Sequence, residues 1–127
     1  MNRCALVAAL AAALALPVLA QTTRPFPATA LRGVLQIVQP PDVRLNDQAT
    51  RLAPGARIRG ANNMLQMSGA LIGQALLVHY TVEPTSGQVL NVWVLTPEEA
   101  ARKPWPTTPQ EAQQWLFNPA AQTWTRR

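Results

Sequence analysis

Between Ala30 and Leu95 turn chemistry cuts the chain at short intervals, at Pro40-Pro41, Asn46-Asp47, Pro54-Gly55, Asn62-Asn63 and Pro84-Thr85-Ser86-Gly87. The pieces left between these points suit short strands better than helices. Leu31 to Gln39 alternates, with Arg32 and Gln36 on one face and Leu31, Leu35 and Ile37 on the other. Pro40-Pro41 stops it, because proline donates nothing to a ladder. Val43-Arg44-Leu45 alternates again, Asn46-Asp47 suits a tight turn, and Ala49 to Leu52 returns from it. Ala53-Pro54-Gly55-Ala56 reads as a type II turn. Arg57-Ile58-Arg59 follows, with the isoleucine opposite both arginines. Asn62-Asn63 then turns into a short strand at Met64 to Met67, and Ser68 to Gln74 is a bend or bulge.

Ala75 to Leu95 is the clearest hairpin, with Leu76–Val82 and Val89–Leu95 as its arms. Its register has two solutions. A four-residue loop puts Val78 on the face of Trp93, and a three-residue loop puts it with Val92. Both faces are apolar either way, so the hairpin needs two covers. One is a barrel interior, and the other is the C-terminal region.

All six glycines precede Leu95, and three of the four tryptophans follow that point or lie beyond it. Thr96-Pro97-Glu98-Glu99 and Thr108-Pro109-Gln110-Glu111 are helix starts, each with a capping threonine, proline at the first position and glutamate at the third. Pro104 and Pro106 end the first helix by Lys103. The second is expected from Pro109 to about Phe117, with Ala112, Trp115 and Leu116 facing Trp93 or Leu95. The predicted fold is all-β with short C-terminal helices: a small, partly open barrel of five or six strands, OB- or SH3-like. A two-sheet sandwich is the competing fold.

The N-terminus reads as an export signal. Met1-Asn2-Arg3 carries one positive side chain, Cys4 to Leu16 is unbroken apolar, and Pro17-Val18-Leu19-Ala20 suits cleavage after Ala20. A membrane span needs about 20 apolar residues, and this run is shorter. The expected organisation is a signal at 1–20, an extended leader at 21–29, a barrel domain at 30–95, and a segment at 96–127 packed on the barrel. Cys4 falls inside the signal, away from the cut where a lipid anchor would need it. The mature chain then has no cysteine, so packing alone holds it in an oxidising compartment. No twin-arginine motif is present, which implies export unfolded. The expected location is the periplasm or exterior of a Gram-negative cell, with no membrane span after cleavage.

Composition narrows the classes further. The 127 residues suit one small domain. A net charge of +5, 13% charged residues and 48% apolar residues exclude an acidic disordered tail, a collagen-like chain and a coiled coil. One cysteine excludes a disulfide framework and a Cys-based zinc site. No cofactor is indicated.

Catalytic patterns are weak. Neither a G-x-S-x-G elbow nor an H-E-x-x-H helix occurs. His79, the one histidine, reads as a structural residue in mid-strand, and no spacing ties it to Ser68 or Ser86. Glu98 and Glu99 point about 100° apart on a helix, so they read as capping residues rather than a catalytic pair. Asp42, Asp47 and Glu83 show no metal-ligand spacing. The chain therefore reads as a non-enzymatic module.

Charge is uneven along the chain. Arg24 to Arg59 holds six arginines against two aspartates, whereas Gly60 to Arg127 holds four basic residues against four glutamates. Arg44, Arg51, Arg57 and Arg59 fall at outward strand positions. Arginine binds phosphate and carboxylate bidentately, so an anionic envelope component or an acidic periplasmic protein is the expected partner. The plainer reading is a solvated face that resists edge pairing. Export argues against nucleic acid. A second functional class is glycan stacking by exposed tryptophans, with Trp105 and Trp124 as candidates; the plainer reading makes them anchors for the tail.

The runs Leu52-Ala53-Pro54-Gly55-Ala56-Arg57-Ile58-Arg59, Gly73 before Leu77-Val78-His79-Tyr80, and Val92-Trp93-Val94-Leu95-Thr96-Pro97-Glu98-Glu99-Ala100 resemble small exported proteins of unknown function from Gram-negative bacteria. The resemblance spans about Leu31 to Ala100. It rests on turn, strand and capping motifs and implies no catalytic residue.

Overall fold

The structure, a computed structural model, describes Arg24–Arg127. The expected signal, its cut after Ala20 and Cys4 lie outside the described residues. Eight strands and two short helices follow in order: β1 Leu31–Gln39, β2 Asp42–Leu45, β3 Gln48–Arg59, β4 Leu65–Gln66, β5 Ala75–Val82, β6 Val89–Val94, α1 Pro97–Ala100, α2 Pro109–Gln114, β7 Leu116–Asn118 and β8 Thr123–Thr125.

The first six strands form one sheet in the order β2-β1-β5-β6-β3-β4, and β2 also pairs with β3. Five strands thus close a barrel and β4 is appended to it. All pairings in this sheet are antiparallel except β3–β6, which is parallel. The expected small all-β barrel with short C-terminal helices is the fold found.

Turn residues do much of the shaping. Asn46 and Asp47 both take positive φ, 51° and 64°, and join β2 to β3 in two residues. Asn46 also reaches β1: its N–H donates to the Val34 carbonyl and its Oδ1 accepts from the Val34 N–H. Gly33 makes room for this contact. A Cβ at Gly33 would sit 2.9 Å from that same Oδ1 and 3.1 Å from the Tyr80 ring.

Ala53–Ala56 is not a turn between strands. β3 runs straight through it as a twelve-residue strand. Between Leu52↔Val89 and Arg57↔Asn91, β3 advances five residues while β6 advances two. The surplus bulges out, with Gly55 at φ 80°. A bulge bends a strand without ending its pairing, and a strand that must pair with β2 and then with β6 needs such a bend.

The β5–β6 hairpin resolves its register through another bulge. Pro84–Gly87 is a four-residue loop, closed by the Glu83 N–H donating to the Gln88 carbonyl. Past the loop, Val82 pairs with Val89 but Thr81 pairs with Asn91, so Leu90 is extra. That one-residue slip sends Val78 and Val92 inward and His79 and Trp93 outward.

Leu31, Leu35, Ile37, Val43, Ile58, Leu71, Val78, Tyr80, Val89 and Val92 fill the barrel. Leu71 comes from a 3-10 turn at Ser68–Leu71, where a bend was expected. A second apolar layer lies outside the barrel. It joins Phe26, Ala30, Trp105 and Trp124 to Trp93, Leu95, Ala112, Trp115 and Phe117. The stretch read as an extended leader therefore contributes Phe26 to a core.

The tail departs from expectation in one respect. α2 stops at Gln114, because Trp115 turns extended at ψ 163°. Leu116–Asn118 then pairs with Thr123–Thr125 as a small hairpin. Phe117 and Trp124 meet across it with ring centroids 4.8 Å apart. Burial of those two rings outweighs the extra helical turn. Leu116, expected on the buried helix face, is exposed, while Ala112 and Trp115 are half-buried.

Gly33→Ala is expected to destabilise the fold by about 1–3 kcal/mol, since the added methyl meets a hydrogen-bonded oxygen that cannot retreat freely. Urea unfolding of the variant beside the native chain measures it; an unchanged midpoint would contradict the close approach.

Candidate functional site

The outer face of the barrel has two parts, one covered and one bare. The covered part follows a cross-strand row. Arg32 of β1 stands beside His79 of β5, His79 beside Trp93 of β6, and Trp93 beside Arg59 of β3. The first three are roofed by the leader and the tail. Phe26 meets His79 edge-on at 4.4 Å and Trp93 at 5.6 Å, and Trp105 stacks on His79 at 4.0 Å.

Arg32 is 8% exposed and every N–H of its guanidinium is engaged. Nε and Nη2 point at His79 Nε2, at 3.2 and 3.1 Å. Nη1 donates to the carbonyls of Ala100 and Arg102, and Nη2 to that of Glu99. Its charge thus faces the C-terminal carbonyls of α1, which carry partial negative charge. The guanidinium also lies 5.5 Å from the Trp105 ring centre.

His79 is 1% exposed. Arginine only donates, so His79 Nε2 must accept and the proton sits on Nδ1. Burial, with the charges of Arg32, Arg24 and Arg102, pulls its pKa down to about 3. Ser86 Oγ accepts from the Gln88 N–H in the hairpin loop, so it serves the turn rather than this histidine.

Arg24 and Glu99 form a buried ion pair, with Nε 2.8 Å from Oε2 and Nη2 on Oε1. Arg24 also donates to the carbonyls of Gly60 and Val94. Glu99 completes the expected capping box: its carboxylate accepts the Thr96 N–H, and Thr96 Oγ1 accepts the Glu99 N–H. Burial works to raise the Glu99 pKa, but hydrogen bonds from Arg24 and Thr96 hold it below the usual value. Glu98 is exposed and takes no part.

The tryptophans expected at the surface are not there. Trp105 and Trp124 are each 5% exposed. Trp105 Nε1 donates to the Ala30 carbonyl, and both rings pack with Phe117. Both rings anchor the tail. Proline-rich surroundings suggested exposure, but Pro106 itself is buried and its carbonyl accepts the Arg32 N–H.

The four arginines occupy the other, bare part, and they do not converge. Arg44 and Arg51 belong to the β2–β3 hairpin. Arg44 donates to the Asp47 carbonyl, and Arg51 pairs with Asp42 at 3.1 Å in full solvent. Exposed pairs of this kind contribute little. Arg57 and Arg59 lie at the far end of β3, beyond the bulge. Arg57 is exposed and makes no ion pair among the described residues; half-buried Arg59 donates to the Asn63 carbonyl.

What the alternation pattern missed is their company. β4 sets Leu65 beside Arg59 and Gln66 beside Ile58, and Met67 follows the strand in extended conformation. Leu65 is 60% and Met67 81% exposed. On the other flank β6 offers Asn91 and Trp93, neither charged. From Gln48 to Val82 the chain has no carboxylate at all. Two cations and two large apolar side chains thus share one open ribbon. The hint in sequence was Met64 to Met67, an apolar tetrad interrupted only by Gln66 after a turn.

Among the described residues no three His, Cys, Asp or Glu side chains gather as metal ligands, and no helix is long and apolar enough to cross a membrane. The chain matches no protein-family model, no curated protein and no solved structure.

The histidine makes a pH prediction. Its pKa lies lower in the folded chain than its unfolded value near 6.5, so the unfolded state takes up the proton first. Stability is full above about pH 6.5 and declines as pH falls toward 3, with about 2 kcal/mol gone by pH 5. His79→Gln, which keeps an acceptor for Arg32, is expected to flatten the slope between pH 6.5 and 5. Urea unfolding at pH 7.5 and 5 reads this directly, and an equal slope in both proteins would refute the neutral buried imidazole.

Proposed function

We propose that this chain is an exported, non-enzymatic interaction module on an OB-like barrel, and that its partner is an anionic membrane surface met through the β3–β4 ribbon. The observation that carries the reading is Leu65 set beside Arg59, with exposed Met67 next along the ribbon and Arg57 next along β3, in a stretch free of carboxylates. Arginine supplies bidentate contact to lipid phosphates, and the exposed leucine and methionine supply apolar surface for the acyl boundary. The apolar run at residues 4–16, read as an export signal, is consistent with an envelope partner.

Magnitudes favour reversible attachment. Each arginine near an anionic leaflet is worth about 1 kcal/mol. Burying Leu65 and Met67 adds about 1.5–3 kcal/mol apiece at full burial, and a surface ribbon reaches only part of that. The sum suits weak, salt-sensitive docking rather than permanent anchoring. A non-enzymatic reading is supported by the engagement of the single histidine: His79 is neutral, roofed by two aromatic rings and hydrogen-bonded to Arg32.

Co-sedimentation with vesicles tests the proposal. The protein is expected to bind phosphatidylglycerol-containing vesicles at low salt and to leave phosphatidylcholine vesicles alone. Arg57→Ser with Arg59→Ser is expected to weaken binding by about tenfold or more. Leu65→Ser with Met67→Ser should weaken it at low and high salt alike. No vesicle binding at about 50 mM salt, or binding indifferent to both pairs, overturns the reading.

A further inference from the structure

The tail builds a second surface, independent of the ribbon. An open cleft of about 770 Å³ lies among Arg32, Lys103, Pro104, Trp115, Glu111 and Arg126, with further walls from neighbouring threonines and tryptophans. That volume is in the range of small-ligand sites. We infer that this cleft binds a carboxylated sugar, with the carboxylate on Lys103 and Arg126, the hydroxyls on Glu111 and Thr107, and the C–H face of the ring against Trp115.

Each part of that assignment rests on a feature of the cleft. Lys103 and Arg126 are exposed, and Arg126 is held 5.0 Å from the Trp115 ring centre. Cation–π contact keeps its guanidinium over the cleft, which lowers the ordering cost of a bidentate carboxylate contact. Arg32 adds positive charge from below but has no N–H left to offer. Three cations against one carboxylate leave the cleft net positive.

Glu111 sets the ligand's orientation and points to a polyol. Its Oε1 accepts from the Thr107 N–H and hydroxyl, at 3.2 and 2.7 Å, and from the Thr108 hydroxyl. Oε2 carries no hydrogen bond among the described residues and remains an acceptor on the cleft wall. Hydrogen bonds from Thr107, and the charge of Arg126, keep the group ionised. An ionised carboxylate repels the ligand's own, and accepts strongly from hydroxyl donors. The ligand must therefore carry its charge at one end and hydroxyls at the other. Half-buried Trp115 and Pro104 give the apolar wall against which a pyranose face packs. Trp105 and Trp124 also line the cleft, each only 5% exposed.

Calorimetric titration with a galacturonic-acid trisaccharide tests this, with maltotriose as the neutral arm and acetate as the bare-charge arm. Saturable binding of the acidic trisaccharide is expected, with quenching or shift of tryptophan fluorescence, and maltotriose about tenfold weaker or worse. Lys103→Gln and Arg126→Gln should each weaken the acidic ligand by about tenfold with thermal unfolding unchanged, both side chains being exposed. Trp115→Phe should weaken both sugars. The inference fails if the acidic trisaccharide gives no saturable heat at about 10 mM, if maltotriose binds equally, or if acetate displaces the sugar at matched concentration. Because vesicle docking uses Arg57 and Arg59, either result leaves the other proposal standing.

Discussion

Glu99 is the point at which the outer layer is fastened. Its carboxylate takes two hydrogen bonds from Arg24 and one from the backbone of Thr96, and its carbonyl takes one from Arg32. Leader, first helix and barrel strand thus meet at one residue. A buried carboxylate is costly unless its oxygens are satisfied. Here both oxygens are, and Arg24 completes its own pairing on the carbonyls of Gly60 and Val94. Removing either charge would leave the other stranded, which is far worse than losing a surface pair.

The aromatic layer depends on that fastening. Arg24 fixes the entry of the leader, and Phe26 two residues on wedges against His79, Trp93 and Trp105. Phe26 is further held from the far end of the chain: the Gln122 side chain accepts its N–H and donates to its carbonyl, as a neighbouring strand would. The tail is therefore not an appendage. It completes hydrogen bonds that the leader cannot make in any sheet, and its hairpin sets Phe117 and Trp124 against Trp105.

Legibility tracked locality. Turns at Asn46-Asp47 and Asn62-Asn63 and the cap at Thr96 were readable because a few adjacent residues determine them. The threonine cap at Thr108 was readable too, though Glu111 reaches back to Thr107 rather than closing a full box. The hairpin register was not readable, since it turns on one extra residue, Leu90, that no turn motif announces. The Pro54-Gly55 pair looked like a turn because its local preference is the same in a bulge; only its partner strand β6 distinguishes the two. The leader was missed for a different reason. Arg24 and Phe26 lie among prolines and polar residues, and their burial depends on groups 70 to 96 positions away.

The arginines show why outward position alone does not define a site. Arg32 and Arg57 both sit opposite apolar neighbours on a strand, and alternation treats them alike. One lies where the tail closes, so burial forces every N–H into a bond and draws its pKa down, with Glu99 opposing. The other lies beyond the bulge of β3, exposed, and makes no ion pair among the described residues. The difference is set by which rows of the barrel the tryptophans cover. Trp93 marks the border: its ring belongs to the covered layer through Phe26, yet its strand neighbour Arg59 already faces the open ribbon. A surface for an anionic partner therefore begins where the aromatic layer ends, so the tail that stabilises the barrel also determines which of its arginines remain free to bind.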